Sequence, residues 1–488
     1  MENPTLPDDV RAALPAVAQA YLSFLEAQVV QVVALQGQVL ALEAATAALG
    51  AQVADLQARL RQYSGNSSRP PSSDPPDAPP RPTPAPSGRR PGGQPGHPGH
   101  RRALLPSSQV ADIVVHRAET CEHCGAVLPP EAPAVGEPRR EQVWDVPPVK
   151  PVVIEHQYPT VCCPTCRRLV APPPPAAEVS SAFGPTVTAL VGLLHGRFRL
   201  SARETVAVLA DCFGVPLGLG SVPALYTEVG DALAGPYAEV QAAVQTGTRA
   251  NVDETGWKQA GRRRWLWTAV GALGTLFLVA SSRSAQTLTT LLGAFGGIVS
   301  SDRFSAYRGL PLDRRQICWA HLKRDLAAFA TWGGQTGPWG TAALGVVAKI
   351  FATWHQFRAG ELDRAGLQTA MAPIQTQMRA LLERGSDLSP PRALCRDMLA
   401  LWPALWTFLT VEGVEPTNNA AERALRPAVL WRKGCFGAAS DAGNLFVERI
   451  LTVTATCRQH ERPLLTFLTD AVRAHRAGFL APSLIATP

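Results

Sequence analysis

Three acidic residues stand where predicted structural elements begin or end, and carboxylates in such places can bind divalent metal ions. The extended run TRANVDETGW leads to Asp253, and GGIVSSDRFSAY places Asp302 directly after a short apolar strand. The helix opening PTNNAAERALRP contains Glu422. Carboxylate oxygens suit hard cations such as Mg²⁺ or Mn²⁺. Two such ions about 3.5–4 Å apart can activate a water or a 3′-hydroxyl and stabilise the leaving oxygen of a phosphodiester.

The segments between these acids predict how the chain brings them together. The uncharged stretch from Trp265 to Ser282 is predicted to form two strands, WLWTAV and TLFLVAS, joined as a hairpin. A helix, AQTLTTLLGAF, then precedes the strand that ends at Asp302. The order of strand, hairpin, helix, strand and later helix is that of a ribonuclease H-like core. We therefore predict an α/β fold with its catalytic core over residues 246–440, in which the strand ends converge.

Each acid also has an ordinary structural explanation. Glu254 adjoins Asp253 but points to the opposite face of a strand, so only one of the two can line the site. A single Asp after a strand is frequent in proteins. Asn419 and Glu422 have the spacing of a capping box, and Glu422 and Arg426 that of a favourable i,i+4 pair. Spacing alone leaves the catalytic role of the three acids open.

A long segment separates Asp302 from Glu422, and basic residues follow Glu422. The gap of 120 residues from Asp302 to Glu422 has helical periodicity, which predicts a helical insertion at about 325–410 that covers the site, grips DNA or packs as an appendage. Basic side chains beside an aromatic ring can hold phosphate and stack on a base, although a solvated helix end has the same composition. The candidate DNA-binding residues are Arg423, Arg426, Trp431, Arg432 and Lys433.

Two Cys-x-x-Cys pairs predict a structural zinc site within a module at residues 107–175. A tetrahedral four-thiolate site needs two such tight turns, with Cys162 as a competing ligand and two unrelated thiol pairs as the alternative. Cys318 and His321 lie three residues apart on a predicted helix without a second pair, which favours packing over metal binding. The predicted zinc ligands are Cys121, Cys124, Cys163 and Cys166.

The N-terminal part predicts self-association. Leucines recur every seven residues from Leu35 to Leu56, with Val32, Val39 and Val53 three residues before three of them. This is a parallel coiled-coil pattern over residues 1–63, and an amphipathic helix packed on its own domain is the alternative. Residues 64–106, rich in Pro, Ser, Gly and Arg, predict a disordered linker whose arginines can contact phosphates.

Helices are predicted on both sides of the core. Residues 176–245 contain a candidate helix-turn-helix, SARETVAVLADCFG and SVPALYTEVGDAL, with Ser221 as the N-cap of the second helix. Such pairs are also common in folds that bind no DNA. Residues 441–488 are predicted as a C-terminal helical region.

Charge and composition indicate a cytoplasmic protein that binds a polyanion. The net charge is +7, and residues 1–60 contribute −4 from six acids and two arginines, which leaves +11 for the rest. That remainder suits nucleic acid. The start of the chain lacks a basic segment followed by an apolar one, so we expect no secretory signal. We expect no membrane span at Trp265 to Ser282, and the ten cysteines are then thiols or metal ligands.

Several motifs in a fixed order resemble the insertion sequence 66 family of bacterial transposases over nearly the whole chain. Besides the leucine-rich start and the two cysteine pairs, they are NSSRPPSSD at 66–74, GGQPGHPGH at 92–100, VDETGWK at 252–258, SDRFSAY at 301–307, CWAHLKRDL at 318–326 and NNAAERALRP at 418–427. The resemblance implies that Asp253, Asp302 and Glu422 are the metal-binding triad. The family has a more basic, aromatic-ended version of the segment Lys323 to Leu326, which leaves the role of that helix open.

The resemblance implies a DNA transposase that uses Mg²⁺ or Mn²⁺ for cleavage and strand transfer, with Zn²⁺ as a structural ion. The expected partners are double-stranded DNA at transposon ends and target, a second copy of the chain, and companion proteins of the same element. Two other functions remain open at this point: a non-catalytic DNA-binding regulator, and a nuclease of the same core that lacks strand transfer.

The heptad seam generates a first prediction. Replacing Leu42 and Leu49 by Lys places charges in the seam and should lower the molar mass measured by light scattering to that of the monomer. A double variant whose oligomer mass equals that of the wild type would contradict the coiled coil.

Overall fold

The computed structural model describes residues 6–60, 102–173 and 181–485. Most of the predicted linker at 64–106 lies outside the described residues. The N-terminal part consists of two helices, α1 (Asp8–Ala12) and α2 (Ala16–Leu60). An ion pair of 2.6 Å between Arg11 and Glu26 fastens the first to the second.

Helix α2 exposes the side chains of the predicted seam. Leu42 is 66% exposed and Leu49 60% exposed. A continuous helix with uncovered leucines needs a partner to bury them, and the coiled coil remains a prediction. Residues Ala16–Gly50 of this helix are also long and apolar enough to cross a membrane, but an apolar helix near the N-terminus is weak evidence of membrane association.

Residues 102–173 are mostly exposed and contain short paired segments, namely a bridge between Thr120 and Val127 and the strands β1 (Val161–Cys162) and β2 (Leu169–Val170). A helical region follows. Its helices are α3 (Pro185–Gly192), which continues as a π-helical turn Leu193–Arg197, α4 (Ala202–Phe213), α5 (Ser221–Ala232) and α6 (Ala234–Gln245).

The predicted helix pair corresponds to α4 and α5. Ser221 is the first helical residue and Gly220 the N-cap, so the predicted cap was wrong by one residue. The helix has no Lys or Arg, and its acids Glu228 and Asp231 pair with arginines of the C-terminal helices. The helix packs against its neighbours through Val222, Leu225 and Val229, and DNA recognition by this helix pair remains a prediction.

A five-stranded mixed sheet forms the centre of the molecule, in the order β5-β4-β3-β6-β7. The central strand pairs antiparallel with β4 and parallel with β6, and β6 pairs parallel with β7. Helix α7 (Ala285–Leu292) connects β5 to β6. The predicted hairpin is present as β4 and β5, so residues 265–282 lie within the sheet region rather than forming an uninterrupted helix. The strands are β3 (Arg249–Gln259), β4 (Arg262–Gly271), β5 (Thr275–Ala280), β6 (Ile298–Ser301) and β7 (Arg315–Ile317).

Helices occupy most of the long gap after β7, as the periodicity predicted. They form a hydrophobic core of their own around residues such as Trp319, Met371 and Phe408. A buried glutamine, Gln316, joins this core to the edge strand β7, because its side-chain oxygen accepts the backbone N–H of Phe408 at 2.8 Å. The helices are α8 (Trp319–Ala330), α9 (Thr336–Arg358), α10 (Arg364–Gly385) and α11 (Arg392–Ala400).

Three more helices return to the sheet, namely α12 (Asn419–Cys435), α13 (Asp441–Gln459) and α14 (Leu464–Arg476). Helix α13 covers the edge strand β5 through side chains one helical turn apart. The backbone N–H groups of Thr275 and Phe277 donate to the hydroxyls of Thr456 and Thr452 at 3.1 and 3.0 Å. The backbone N–H of Val279 donates in the same way to the carboxylate of Glu448, at 2.6 Å. This ladder of side chains accepts the backbone N–H groups of β5 that a neighbouring strand would otherwise bind.

The ladder generates a second prediction. Thr452→Val removes the acceptor of a buried N–H, so unfolding free energy should fall by about 1–3 kcal/mol in chemical denaturation. Thr454→Val is the matched control on the same helix, because the Thr454 hydroxyl is buried without a hydrogen-bond partner. The control should be neutral or stabilising. Equal losses in both variants would contradict the ladder.

Candidate active site and zinc module

Parallel strand register aligns the predicted acids at one edge of the sheet. Asn251 of β3 pairs with Ser300 of β6, and Ser301 of β6 pairs with Ile317 of β7. Extending these registers along the chain brings Asp253 beside Asp302, and Asp302 beside Cys318. Asp302 directly follows its strand, as predicted, but the prediction that the extended run ends at Asp253 is wrong: β3 continues to Gln259 because it stays paired with β4 beyond Asp253.

The electrostatics agree with this convergence. Burial raises the pKa of the Asp253 carboxyl well above its ordinary value, and the negative charges of Glu254, of Asp302 and, least, of Glu422 raise it further. Backbone N–H groups anchor both aspartates. Asp253 accepts the N–H of the next residue at 2.9 Å, and Asp302 accepts that of Phe304 at 2.8 Å. The two aspartates lie side by side on adjacent strands. In the part of the chain that the structure describes, however, the ligand atoms of Asp253, Asp302 and Glu422 do not form a group within 4.8 Å of one another, so their shared metal site remains a prediction.

Asn418 connects the third acid to the central strand. Its side-chain amide donates to the carbonyl of Val252 at 2.7 Å and accepts from Asn251 at 2.9 Å. Asn418 is the N-cap of α12 and makes no side-chain capping bond within that helix. The predicted capping box at Asn419 and Glu422 is therefore wrong, since the cap lies one residue earlier and uses its side chain on β3.

Without a capping role, Glu422 faces helix α8. One of its carboxylate oxygens lies 3.5 Å from Nδ1 of His321 and 3.4 Å from a guanidinium nitrogen of Arg324. Burial and the Arg324 charge lower the pKa of His321 to about 4 despite the opposing charge of Glu422, so the imidazole is neutral at pH 7. Among the ion pairs of the described residues, Glu422 therefore pairs with Arg324 and not with Arg426, and its contact with His321 is with a neutral ring. The helix containing CWAHLKRDL thus provides a wall of the site.

The neighbouring glutamates have other partners. Glu254 lies on the opposite face from Asp253, as predicted, and is bound there by Arg283 at 2.5 Å and by the hydroxyl of Tyr307. Glu415 pairs with Arg358 at 3.0 Å, and Glu448 belongs to the ladder on β5. These contacts engage the other glutamates elsewhere, and the assignment of Glu422 as the third acid remains a prediction.

The basic side chains after Glu422 divide into two groups. Arg423, Arg426 and Lys433 are exposed along one face of α12 and can meet phosphate. Arg432 instead binds the carbonyl of Gly256 in β3. Trp431 is 3% exposed and packs edge-on against Trp257, so the prediction that it stacks on a base is wrong. The sequence reasoning treated an apolar ring among cations as exposed, whereas its helical spacing from the buried Leu425 and Ala428 indicated the core.

Sequence reasoning missed a basic hairpin tip. Lys258, Arg262 and Arg263 are exposed around the turn between β3 and β4, and Lys258 pairs directly with Arg263 across the strands. Like charges in such a pair repel each other. The segment after α12 lies against this tip, since Ala438 exchanges backbone hydrogen bonds of 2.9 and 3.0 Å with it. The three consecutive arginines Arg262 to Arg264 were the sequence signal that could have predicted this basic tip.

Each cysteine pair of the N-terminal module forms a knuckle. Backbone N–H groups directed at the first sulfur of each pair lower the pKa of Cys121 and of Cys163. In both knuckles the residue after the second cysteine has a positive φ, 73° at Gly125 and 55° at Arg167. Cys162 instead directs its sulfur at the carbonyl of Arg167, 3.4 Å away, which favours Cys163 as the ligand.

The two knuckles are separate half-sites. In the part of the chain that the structure describes, the group of three metal-binding side chains within 4.8 Å of one another contains none of these cysteines. One zinc ion shared by Cys121, Cys124, Cys163 and Cys166 requires the knuckles to close on each other. The four-cysteine ligand set thus remains a prediction.

Comparison with known proteins identifies matching families in three parts of the chain. The pattern described as "Transposase IS66 family" matches residues 180–444, more than half of the chain. The pattern described as "zinc-finger binding domain of transposase IS66" matches residues 118–167, and one described as "Family of unknown function (DUF6444)" matches residues 13–103. The matched zinc-finger segment includes both knuckles, which supports Zn²⁺ as a bound ion.

Similar proteins occur in Sinorhizobium fredii. The protein named "Uncharacterized protein y4jD" is 24% identical over 359 residues, which are 66% of this chain and 68% of that protein. "Uncharacterized protein y4hP" is 24% identical over 404 residues, 74% of this chain and 71% of that protein. Their names state no activity.

The amide tether generates a third prediction. Asn418→Asp replaces the buried donor to the Val252 carbonyl by a charge, so the free energy of unfolding should fall by about 3 kcal/mol or more. Asn419→Asp, at the first helical position, should be neutral or stabilising by up to about 1 kcal/mol through the helix dipole. Chemical denaturation of both variants compares them directly. Equal stability of the pair would contradict a structural role for the tether.

Proposed function

We propose that this chain, which belongs to the IS66 family of transposases, cleaves transposon ends and joins them to target DNA by using Asp253, Asp302 and Glu422. The observation on which this proposal rests is the convergence of the three acids. Two adjacent parallel strands deliver the aspartates, and Asn418, the N-cap of the helix that carries Glu422, donates to the carbonyl of Val252 next to Asp253. The strand order, with a central strand antiparallel to one neighbour and parallel to the other, supports a ribonuclease H-like core.

The donor set fits divalent cations. Three carboxylates at one sheet edge repel one another, and burial increases that repulsion at Asp253. Bound Mg²⁺ or Mn²⁺ would relieve the repulsion, since oxygen ligands of this kind suit hard cations. Asp253, Asp302 and Glu422 would hold the ions. When bound, the ions would lower the pKa of an attacking water or hydroxyl and stabilise charge on the leaving oxygen.

The surrounding residues hold the three carboxylates in fixed positions and orientations. Asn418 fixes the start of α12 relative to β3, and Arg324 restrains the Glu422 carboxylate from the side of α8. Because both aspartates accept backbone N–H groups next to them, their orientation does not depend on mobile side chains. A site with fixed donors favours the in-line geometry that phosphoryl transfer requires.

Two exposed basic surfaces are available to DNA. One is the face of α12 that contains Arg423, Arg426 and Lys433, and the other is the hairpin tip that contains Lys258 and Arg263. The chain after α12 lies against that hairpin tip. We propose that phosphates of the transposon end bind along this path, because exposed cations fix the register of a duplex without reading its sequence.

The remaining parts support assembly around DNA. We propose that α2 pairs with its counterpart in a second chain, so that two ends are held together, and that the zinc module contributes to DNA binding. We place the protein in the cytoplasm with its DNA substrate. Companion proteins of the same element are a further proposed partner. A regulator would bind DNA without cutting it, and a simple nuclease would cut without joining, so supercoiled plasmid plus labelled terminal DNA distinguishes the three functions.

The triad generates a fourth prediction. Glu422→Gln keeps the shape of the side chain but removes a charged ligand, so cleavage and joining should fall by about 10²–10³-fold, as for other groups that stabilise transition-state charge. Asp253→Asn and Asp302→Asn should behave alike. DNA affinity and melting temperature should stay near those of the wild type.

The matched control is Glu415→Gln, because Glu415 precedes the same helix but pairs with Arg358 at the surface. Its cleavage rate should equal that of the wild type. If Glu422→Gln cleaves as fast as this control while both Asp variants are inactive, Glu422 is not the third ligand.

A further inference from the structure

A cysteine, a histidine and a glutamate meet beside the proposed catalytic acids. The Sγ atom of Cys318, a ring nitrogen of His321 and a carboxylate oxygen of Glu422 all lie within 4.8 Å of one another. Cys318 is 1% exposed, and Nδ1 of His321 is buried without a hydrogen-bond partner. A buried nitrogen of this kind is energetically unfavourable unless it binds something.

The backbone around Cys318 has the same arrangement as the two zinc knuckles. In each Cys-x-x-Cys pair, the N–H groups two and three residues after the first cysteine point at its sulfur. The N–H groups of Ala320 and His321 point at Cys318 in the same way, and the N–H of Asn418 adds a third at 3.1 Å. Burial raises the pKa of the free Cys318 thiol to about 11, and these N–H groups offset part of that rise. They would stabilise the sulfur as a metal-bound thiolate. The segment Cys318-x-x-His321 thus shares the N–H donor pattern of the knuckles, with a histidine in the second position, but it does so as the first turn of helix α8.

We propose that Cys318, His321 and Glu422 bind a transition-metal ion of the zinc class, with the fourth position open to water. Sulfur and imidazole ligands select such ions over Mg²⁺. Tetrahedral zinc with bonds of about 2.0–2.3 Å needs ligands about 3.3–3.8 Å apart, so the three groups need to close by about 1 Å. The ion displaces the thiol proton of Cys318 to solvent, as metal binding to cysteine does in general.

Glu422 belongs both to the Cys318–His321 metal site and to the proposed catalytic Mg²⁺ site. A zinc-class ion bound at the first site therefore affects the second. This consequence rests on the proposed function, in which Glu422 is a ligand of the catalytic Mg²⁺. An ion bound to Cys318 and His321 competes for the carboxylate of Glu422. Zinc-class ions therefore inhibit cleavage that Mg²⁺ supports, at the concentrations that fill this site.

Cobalt binding to the full-length chain tests the site without DNA. With one equivalent of Zn²⁺ per chain added first, which the four N-terminal thiolates should take in preference to a site with a single thiolate, added Co²⁺ should give a thiolate-to-cobalt absorption band and bind as about one further ion per chain. Cys318→Ser should abolish the band, and His321→Gln should weaken Co²⁺ binding by at least about tenfold. The matched control is Cys457→Ser, because Cys457 is equally buried but lies on α13. It should keep the band.

Each outcome decides the proposal. The absence of a band in the wild type, or a band that persists in both Cys318→Ser and His321→Gln, overturns it. If Cys318→Ser does not fold, His321→Gln decides alone, with its melting temperature as the check on folding. A wild type that binds Co²⁺ but cleaves no DNA keeps the metal site and contradicts the proposed function. Cleavage that Zn²⁺ does not inhibit at full occupancy contradicts the regulatory effect.

Discussion

The buried amide of Asn418 is the contact on which the geometry of the site depends. Two acids come from adjacent strands and are aligned by the sheet itself, whereas the third comes from a helix that begins more than a hundred residues later. The Asn418 side chain donates to one residue of β3 and accepts from another, which determines both the position and the direction of the helix start. Its backbone N–H also reaches the sulfur of Cys318. One residue therefore joins three elements of the site.

This arrangement accounts for the length of the helical insertion. The end of the insertion is bonded close to its beginning, since the carbonyl of Pro416 accepts the N–H of Trp319 at 2.9 Å. Asn418 then attaches the chain to β3. The segment between these two points can therefore fold around its own core. The insertion is not an isolated appendage, since Gln316 and Thr407 bond it to the edge strand β7. It protects one edge of the sheet while α13 protects the other. Both edges are thus closed to pairing with other chains.

Helix α8 has a larger role than a packing element. It presents His321 and Arg324 to the Glu422 carboxylate, so the acid that the sequence made most ambiguous has the most side-chain contacts. The basic residues of α12 have separate roles because they lie on different faces of the helix. Those on the exposed face are free for phosphate, and Arg432 and Trp431 hold the helix against β3. Residue type alone did not separate these two groups, because a helix presents neighbouring residues to different surroundings.

The sequence by itself determined the local elements. Apolar runs and turn residues predicted the hairpin, the strand before Asp302, the helical insertion and the knuckles, because such patterns depend on near neighbours in the chain. Motif resemblance indicated the family and the three acids. Only the tertiary structure decided that Asn418 rather than Asn419 caps α12, that Trp431 is buried, and that Glu422 meets Cys318 and His321. Each of these depends on contacts between residues about a hundred or more positions apart or on opposite faces of one helix, and no local pattern encodes such contacts.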